Sequence, residues 1–330
     1  MSTRTRVAVV GGGANSEHEI SLASAAGVAA ALDVGRYDVV RLTIDPDGDW
    51  CDEDHERLAL PSAVRTLQAC DVVIPVLHGP HGEDGTLAAL CDLAGVPYVG
   101  SGLGAGALAM DKWATKLVAR SLGIAVAPEV LLTPATVPAY TFSHPVVVKP
   151  VTAGSSHGVT LVRGAAELPA ALVAALALDP RVLVEDVVLG REIDLAVLGR
   201  PDGARVVAPA LEIVADGVFD TESKYGGGAD FRVPALLTDD EHEALVGAAK
   251  TMYDALGCAG VARIDFFLTD GGPVLNEVNT MPGLTEESQV PKMFAAAGVS
   301  YPELVDMLVR DAVVGFRHGV QASRRVVARR

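Results

Sequence analysis

Val261-Ala262-Arg263-Ile264-Asp265-Phe266-Phe267, then Thr269-Asp270-Gly271-Gly272-Pro273, then Val274-Leu275-Asn276-Glu277-Val278-Asn279: this stretch reads as two strands joined by a turn-forming cluster. Strand side chains alternate faces, so Arg263 and Asp265 share one face, as do Glu277 and Asn279. A hairpin centred on Gly271 sets Asp265 opposite Glu277 and Arg263 opposite Asn279, and all four polar groups converge. Two carboxylates and an amide oxygen make a poor apolar core. They make a good seat for Mg²⁺, which commonly takes one or two carboxylates together with substrate phosphates. Taken alone, a solvated hairpin face with an incidental ion pair explains the pattern equally well.

Outward from the hairpin, the basic residues are unevenly chosen. Only six of the 26 are lysines, and four of these, Lys112, Lys116, Lys149 and Lys224, stand beside motif-like stretches. A compact ammonium suits nucleotide phosphates as a point charge, whereas arginine suits planar bidentate contacts. Lys149 ends an apolar strand and leads into Gly154-Ser155-Ser156-His157-Gly158, a small loop whose N–H groups can approach phosphate oxygens. The loop is not a P-loop, because no G-x-x-x-x-G-K-[ST] occurs. Gly11-Gly12-Gly13 is not a dinucleotide fingerprint either, since Ser16 stands where the third glycine belongs.

The first third alternates strand and helix. Apolar runs at residues 7–10 and 72–77 suggest an open, mostly parallel sheet, with Glu17 and His78 beyond its strand ends. Ser16 and Glu19 have capping-box spacing, as do Thr238 and Glu241. Boundaries near 110 and 195 divide the chain into an N-terminal α/β part (1–110), a central part (111–195) and a C-terminal part (196–330) whose polar, glycine-rich segment 219–231 reads as a lid. A net charge of −16 argues against a nucleic-acid binder. Cys51, Cys70, Cys91 and Cys258 form no C-x-x-C pair and fit a reducing cytoplasm. No signal-peptide core is expected, and the longest apolar stretches, such as 168–178, fall short of the roughly 20 residues that span a bilayer.

Together these stretches resemble the D-alanine–D-alanine ligases of the ATP-grasp superfamily, from about Val7 to about Val309. The ordered motifs are Gly12-Gly13-Ala14-Asn15-Ser16-Glu17-His18-Glu19-Ile20-Ser21, Leu77-His78-Gly79 with Gly82-Glu83-Asp84-Gly85-Thr86, and Met110-Asp111-Lys112. Val148-Lys149-Pro150, Gly154-Ser155-Ser156, Gly190-Arg191-Glu192, Lys224-Tyr225, Arg263-Ile264-Asp265 and Asn276-Glu277-Val278-Asn279-Thr280-Met281-Pro282-Gly283 follow. The resemblance implies an N-terminal open parallel α/β domain followed by two α+β domains that clasp ATP. It implies ligation of two D-alanines through a D-alanyl phosphate, for peptidoglycan precursor synthesis, in a cytoplasmic homodimer with no nucleic-acid or membrane partner.

By the same resemblance, Lys112, Lys149, Ser156, Glu185, Val188, Glu192, Lys224, Phe267, Asn276 and Glu277 line the ATP cleft, and Asp265, Glu277 and Asn279 hold two Mg²⁺ or Mn²⁺ ions. Glu17 takes the amino group of the first D-alanine, with His78 nearby. Ser155 and Tyr225 join Glu17 in a link that closes the lid. Arg263 and the N–H of Gly283 stabilise the oxyanion, and Ser288 holds the carboxylate of the second D-alanine. Asn15 stands where serine is common, and Phe219-Asp220-Thr221 departs from the usual aromatic-Asp-Tyr of the lid. A relative with a D-serine or specialised acceptor therefore remains an alternative, as does a non-catalytic nucleotide-binding protein.

Overall fold

The computed structural model describes residues 4–214 and 230–327. The first sheet comprises β1 (Thr5–Gly12), β2 (Tyr37–Ile44), β3 (Trp50–Cys51), β4 (Arg57–Leu58) and β5 (Val72–Pro75), in the order β4-β3-β2-β1-β5. β1 pairs in parallel with β2 and β5, and two short antiparallel strands finish one edge. A parallel sheet is covered on both faces, which is why β1 is apolar without alternation. Val7, Val9 and Ile74 pack with α1 (His18–Ala31), while Ala8, Val10 and Val73 pack with α2 (Leu60–Gln68) and α3 (Thr86–Ala94).

The expected capping box at Ser16 and Glu19 does not form. α1 begins at His18 after Glu17, with no side-chain cap. Asn15 builds the turn instead, its Oδ1 accepting the Glu17 N–H at 2.8 Å. Its amide nitrogen donates to the carbonyls of His78 and Pro80, both at 3.0 Å, which ties the two loops beyond the strand ends together.

Two helices, α4 (Leu103–Met110) and α5 (Lys112–Ser121), are separated by Asp111. Asp111 leaves the helical region at ψ 96 and accepts the Ala114 N–H at 2.9 Å, capping α5. β6 (Ala125–Val126) follows. The second sheet is antiparallel: β7 (Glu129–Leu132), β8 (Val146–Pro150), β9 (Thr160–Val162) and, after α6 (Leu168–Leu176), β10 (Val182–Asp186), in the order β7-β10-β8-β9. It has its own core, where Val146, Val148 and Val184 meet Leu168 and Leu172 of α6.

The third sheet takes β11 (Arg191–Gly199), β12 (Arg205–Val207), β13 (Leu211–Val214), β14 (Asp230–Arg232), and, after α7 (Asp239–Leu256), β15 (Val261–Thr269) and β16 (Gly272–Asn279). β6 completes it, pairing in parallel with β16. The chain continues through α8 (Gln289–Ala296) and α9 (Tyr301–Val327). At α7 the expected capping box is present: Thr238 Oγ1 accepts the Glu241 N–H at 3.3 Å, and Glu241 accepts the Thr238 N–H at 2.7 Å. One face of this sheet is apolar, with Ile193, Leu195, Ile264 and Phe266 against Leu245 and Met252 of α7 and Ala119 of α5. The opposite face turns polar towards one end, and the candidate site lies there. The core cluster that includes Val7 and Val9 also takes in Leu198, Leu211, Met281 and Phe294, so the first and third sheets share packing. Among the described residues no helix is long and apolar enough to cross a membrane.

Candidate active site

Asp265 does face Glu277, and Arg263 faces Asn279. The path to that register differs from a plain hairpin. The turn is Asp270-Gly271, with Thr269 opposite Gly272 at φ 103, and the ladder runs Phe267–Val274 and Phe266–Leu275 before slipping by one residue. Continued without a slip, that ladder would set Asn276 opposite Asp265 and send Glu277 to the other face. A β-bulge supplies the slip, and Asn276 is the extra residue. Asn276 and Glu277 both line the same cleft as a result.

Arg263 closes a fork on Asp265, Nε to Oδ1 at 2.8 Å and Nη2 to Oδ2 at 2.7 Å. Asn279 Nδ2 donates to the same carboxylate at 3.0 Å. Asp194 of β11 pairs with Asp265 in the ladder, and its carboxylate lies 3.7 Å from Arg263 Nε. Burial works against the Arg263 charge, but Asp265, with Asp194 and Glu277 behind it, holds the guanidinium protonated far above its ordinary range. Asp194 escaped the sequence reading. Its signal was a single carboxylate inside the apolar strand Ile193-Asp194-Leu195, two residues from Glu192.

Beside this face lies a cavity of about 530 Å³ between the second and third sheets. Lys112, Lys149, Ser156, Glu185, Val188, Glu192, Phe267, Asn276 and Glu277 all line it. Lys112 Nζ donates to the Ala153 carbonyl at 2.7 Å and lies 3.4 Å from Glu277 Oε2. Lys149 Nζ lies 2.8 Å from Glu185 Oε2 and 3.4 Å from Asn276 Oδ1. Burial alone would raise the Glu185 pKa, but Lys149 and Lys116 outweigh it and hold the carboxyl below its usual range. Lys116 also lines the cavity.

A second cavity, of about 270 Å³, is lined by Glu17, His78, Ser155, Arg263, Gly283 and Ser288. The Ser155 hydroxyl donates to Glu17 Oε1. A Cβ on Gly154 would come within 2.8 Å of Glu17 Oε2, and one on Gly79 within 2.5 Å, so both positions need glycine for the carboxylate to sit there. Ser155 and Ser156 adopt φ values of 48 and 57, a conformation rare for residues with a side chain. Burial, then Glu83, raises the Glu17 pKa, against the opposing pull of Ser155 and His78. His78 is buried, with Nδ1 3.0 Å from the Met281 carbonyl and Nε2 3.1 Å from Ser24 Oγ. Burial opposes its charge, yet Glu83 and Glu17 prevail and raise its pKa.

Ser288 directly precedes α8, and its Oγ accepts the Thr285 N–H at 3.1 Å. Gly283 lies against it, where a Cβ would meet Ser288 Oγ at 3.0 Å. The two cavities share Gly154, Ser156, Glu192, Ile213 and Glu277. Lys224, Tyr225 and most of the lid segment 219–231 lie outside the described residues.

A divalent cation fits this donor set. Asp265 and Glu277 offer carboxylate oxygens from facing strands, and Asn279 shares their face with its amide oxygen left over from the bond to Asp265. Among the described residues no group of three or more His, Cys, Asp or Glu is placed to hold a metal ion. A third cavity, of about 370 Å³, lies elsewhere, beside Arg200, Arg205 and Tyr253. Its arginines are matched within the protein, Arg200 to Asp311 at 3.1 Å and Arg205 to Asp254 at 2.7 Å.

Comparison with known proteins shows the family and the fold. Residues 6–101 match the family described as D-ala D-ala ligase N-terminus, and residues 118–310 match D-ala D-ala ligase C-terminus. The D-alanine–D-alanine ligase of Mycolicibacterium smegmatis is 42% identical over 357 aligned positions, covering 94% of this chain and 96% of that protein. The D-Ala:D-Ser ligase VanG of Enterococcus faecalis superposes with a TM-score of 0.82 at 33% identity, over 94% of this chain and 100% of that one. The ATP complex of the Bacillus anthracis D-alanine–D-alanine ligase superposes with a TM-score of 0.79 at 27% identity, over 96% and 99%.

Proposed function

The chain belongs to the D-alanine–D-alanine ligase family, and on that premise we propose that its larger cavity takes ATP, its smaller cavity takes two D-alanines, and their shared wall is where phosphate passes between them. The chain is an ATP-using ligase of ATP-grasp fold that joins D-alanine to D-alanine for the cell wall. The carrying observation is the common wall of Gly154, Ser156, Glu192, Ile213 and Glu277.

A carboxylate resists attack because its oxygens carry the charge. Glu17 takes the ammonium of the first D-alanine, buttressed by the Ser155 hydroxyl. The carboxylate oxygen of that D-alanine then attacks the γ-phosphorus, and ADP leaves. Lys112 and Lys149 stand on the phosphate side and offset the charge that builds up there. Asp265, Glu277 and Asn279 would hold Mg²⁺ or Mn²⁺, which supplies further charge neutralisation on the phosphate oxygens. The second D-alanine, its carboxylate at Ser288, attacks the acyl carbon as a free amine. The new C–N bond forms, the amine gives up a proton, and phosphate departs. Arg263 and the Gly283 N–H face the oxygen that becomes negative in between. Water would destroy the acyl phosphate, so we assign segment 219–231, with Lys224 and Tyr225, to closing the site. We further propose the three-part division at 110 and 195, a homodimeric cytoplasmic enzyme, and two metal ions.

Phosphate release across a panel of D-amino acid acceptors, with the product weighed by mass, tests this reading. Purified protein with ATP, Mg²⁺ and D-alanine should give ADP, phosphate and D-alanyl-D-alanine. Turnover with D-serine as acceptor equal to or above that with D-alanine would favour a second reading, motivated by the likeness to the D-Ala:D-Ser ligase and by the altered lid sequence Phe219-Asp220-Thr221. ADP formation that ignores D-alanine would sink both.

A further inference from the structure

Helix α5 carries three cations at four-residue spacing, Lys112, Lys116 and Arg120. Residues four apart lie on one stripe of a helix. Each cation meets a carboxylate from a different strand. Lys112 lies 3.4 Å from Glu277 of β16, Lys116 lies 2.5 Å from Glu185 of β10, and Arg120 contacts Glu129 of β7. Glu129 and Glu185 are direct ladder partners, so two like charges sit opposite each other and each is answered from α5.

The middle rung is the most enclosed. The Lys116 side chain is 1% exposed and that of Glu185 is 7% exposed. The two oxygens of Glu185 are divided: Oε1 serves Lys116, and Oε2 serves Lys149. Lys149 reaches on towards Asn276 of the bulge, beside Glu277. If Oε1 were released, the Glu185 carboxylate could turn and draw Lys149 back along its own strand, away from Asn276. Burial, then the facing Lys149 charge, pulls Lys116 below its ordinary range, with Glu185 opposing and Arg120 adding to the pull. Charged or neutral, Lys116 still donates an N–H to Glu185, so the geometric role survives either state.

We propose that Lys116 is a positioning residue for the nucleotide: by occupying one oxygen of Glu185 it keeps the other aimed so that Lys149 stands at the phosphate end of the cleft beside Asn276. This rests on the reading of the larger cavity as the ATP site. Although Lys116 lines the same cavity, its ammonium is spent on Glu185, and its proposed action runs through that carboxylate.

The test uses the full chain carrying Lys116→Met, Glu185→Gln and both together, with kcat and the KM values for ATP and D-alanine measured separately. Lys116→Met should raise the KM for ATP by about tenfold, the loss of one charge-assisted hydrogen bond, and leave the KM for D-alanine within about twofold. In the Glu185→Gln background the second substitution should add almost nothing, because the two act as one unit. An unchanged KM for ATP with only a lower Tm would overturn the proposal in favour of a purely structural lysine. A full additional loss in the double variant would overturn it in favour of direct contact with ATP. If Lys116→Met does not fold, Glu185→Gln decides alone: an unaltered KM for ATP there removes the proposed route. Wild-type turnover that does not saturate with ATP would remove the underlying reading of the cavity, a different failure from any of these.

Discussion

Glu17 is packed among Gly79, Gly154 and Ser155, and that packing has a measurable consequence. Burial and Glu83 raise its pKa. The ionised form is needed to hold an ammonium, so the KM for the first D-alanine should climb as pH falls. The climb should begin at a higher pH than the value near 4.3 of an ordinary glutamate. Glu17→Gln should raise that KM at neutral pH and flatten its pH profile. A profile that stays steep in the variant would assign the ionisation elsewhere. The same shift has a stability cost. Between the unfolded and folded pKa values the folded chain holds the extra proton, so stability falls as pH rises through that window. Glu277 tests the proposed metal site. Glu277→Gln keeps shape but removes a charge, and kcat should fall by about 100-fold or more with little change in Tm. Normal turnover at ordinary Mg²⁺ would refute the metal assignment.

Two elements decide more than their length suggests. The bulge at Asn276 puts Glu277 on the face of Asp265. Deleting Asn276 should restore a plain ladder, because Glu277 then follows Leu275 directly and still falls opposite Asp265. The KM for ATP should rise through loss of the Asn276 contact to Lys149, while circular dichroism keeps the helical signal of the wild type. An unchanged KM for ATP would show that Asn276 serves only as the spacer of the bulge. The capping box on α7 is a contrasting case, because Thr238 lies outside both cavities. Thr238→Ala should cost about 1 kcal/mol in denaturant unfolding and leave kcat and both KM values alone. The paired motif Thr238…Glu241 was legible in sequence because both partners sit within one turn. Its twin at Ser16…Glu19 was illegible as a failure, because Asn15 builds that turn through partners more than 60 residues away, the carbonyls of His78 and Pro80.

At the scale of the molecule, the first and third sheets are joined by one apolar core, while the second sheet has its own. Across the cleft the second sheet meets the third through polar side chains, Lys149 to Asn276 among them. A ligand that fills this gap should therefore hold the second sheet in place. Mg²⁺ with ATP at a hundredfold excess over Kd should stabilise the fold by about 2.7 kcal/mol, read as a rise in Tm. In Glu277→Gln the part of that rise that needs Mg²⁺ should disappear. Equal shifts with and without Mg²⁺ in the wild type would argue that the cation does not bridge nucleotide and protein.

The kind of chemistry and the shared polar face of the hairpin were legible in the amino-acid sequence. Alternation along Arg263-Ile264-Asp265 and Glu277-Val278-Asn279 is local, and the period of two carries it without any tertiary help. Equally legible was the alternating strand–helix character of the first third, because a buried parallel strand must be apolar throughout. It took the folded chain to set Asp194 beside Asp265, to divide one carboxylate between Lys116 and Lys149, and to give two cavities a common wall. Those facts depend on strands brought side by side from distant parts of the chain, Asp194 beside Asp265 and Glu185 between Glu129 and Val147. The hairpin stands between the two cases. The facing of Asp265 and Glu277 was legible, but the one-residue bulge that produces it was not, because a bulge is chosen by the balance of packing and pairing across the whole sheet.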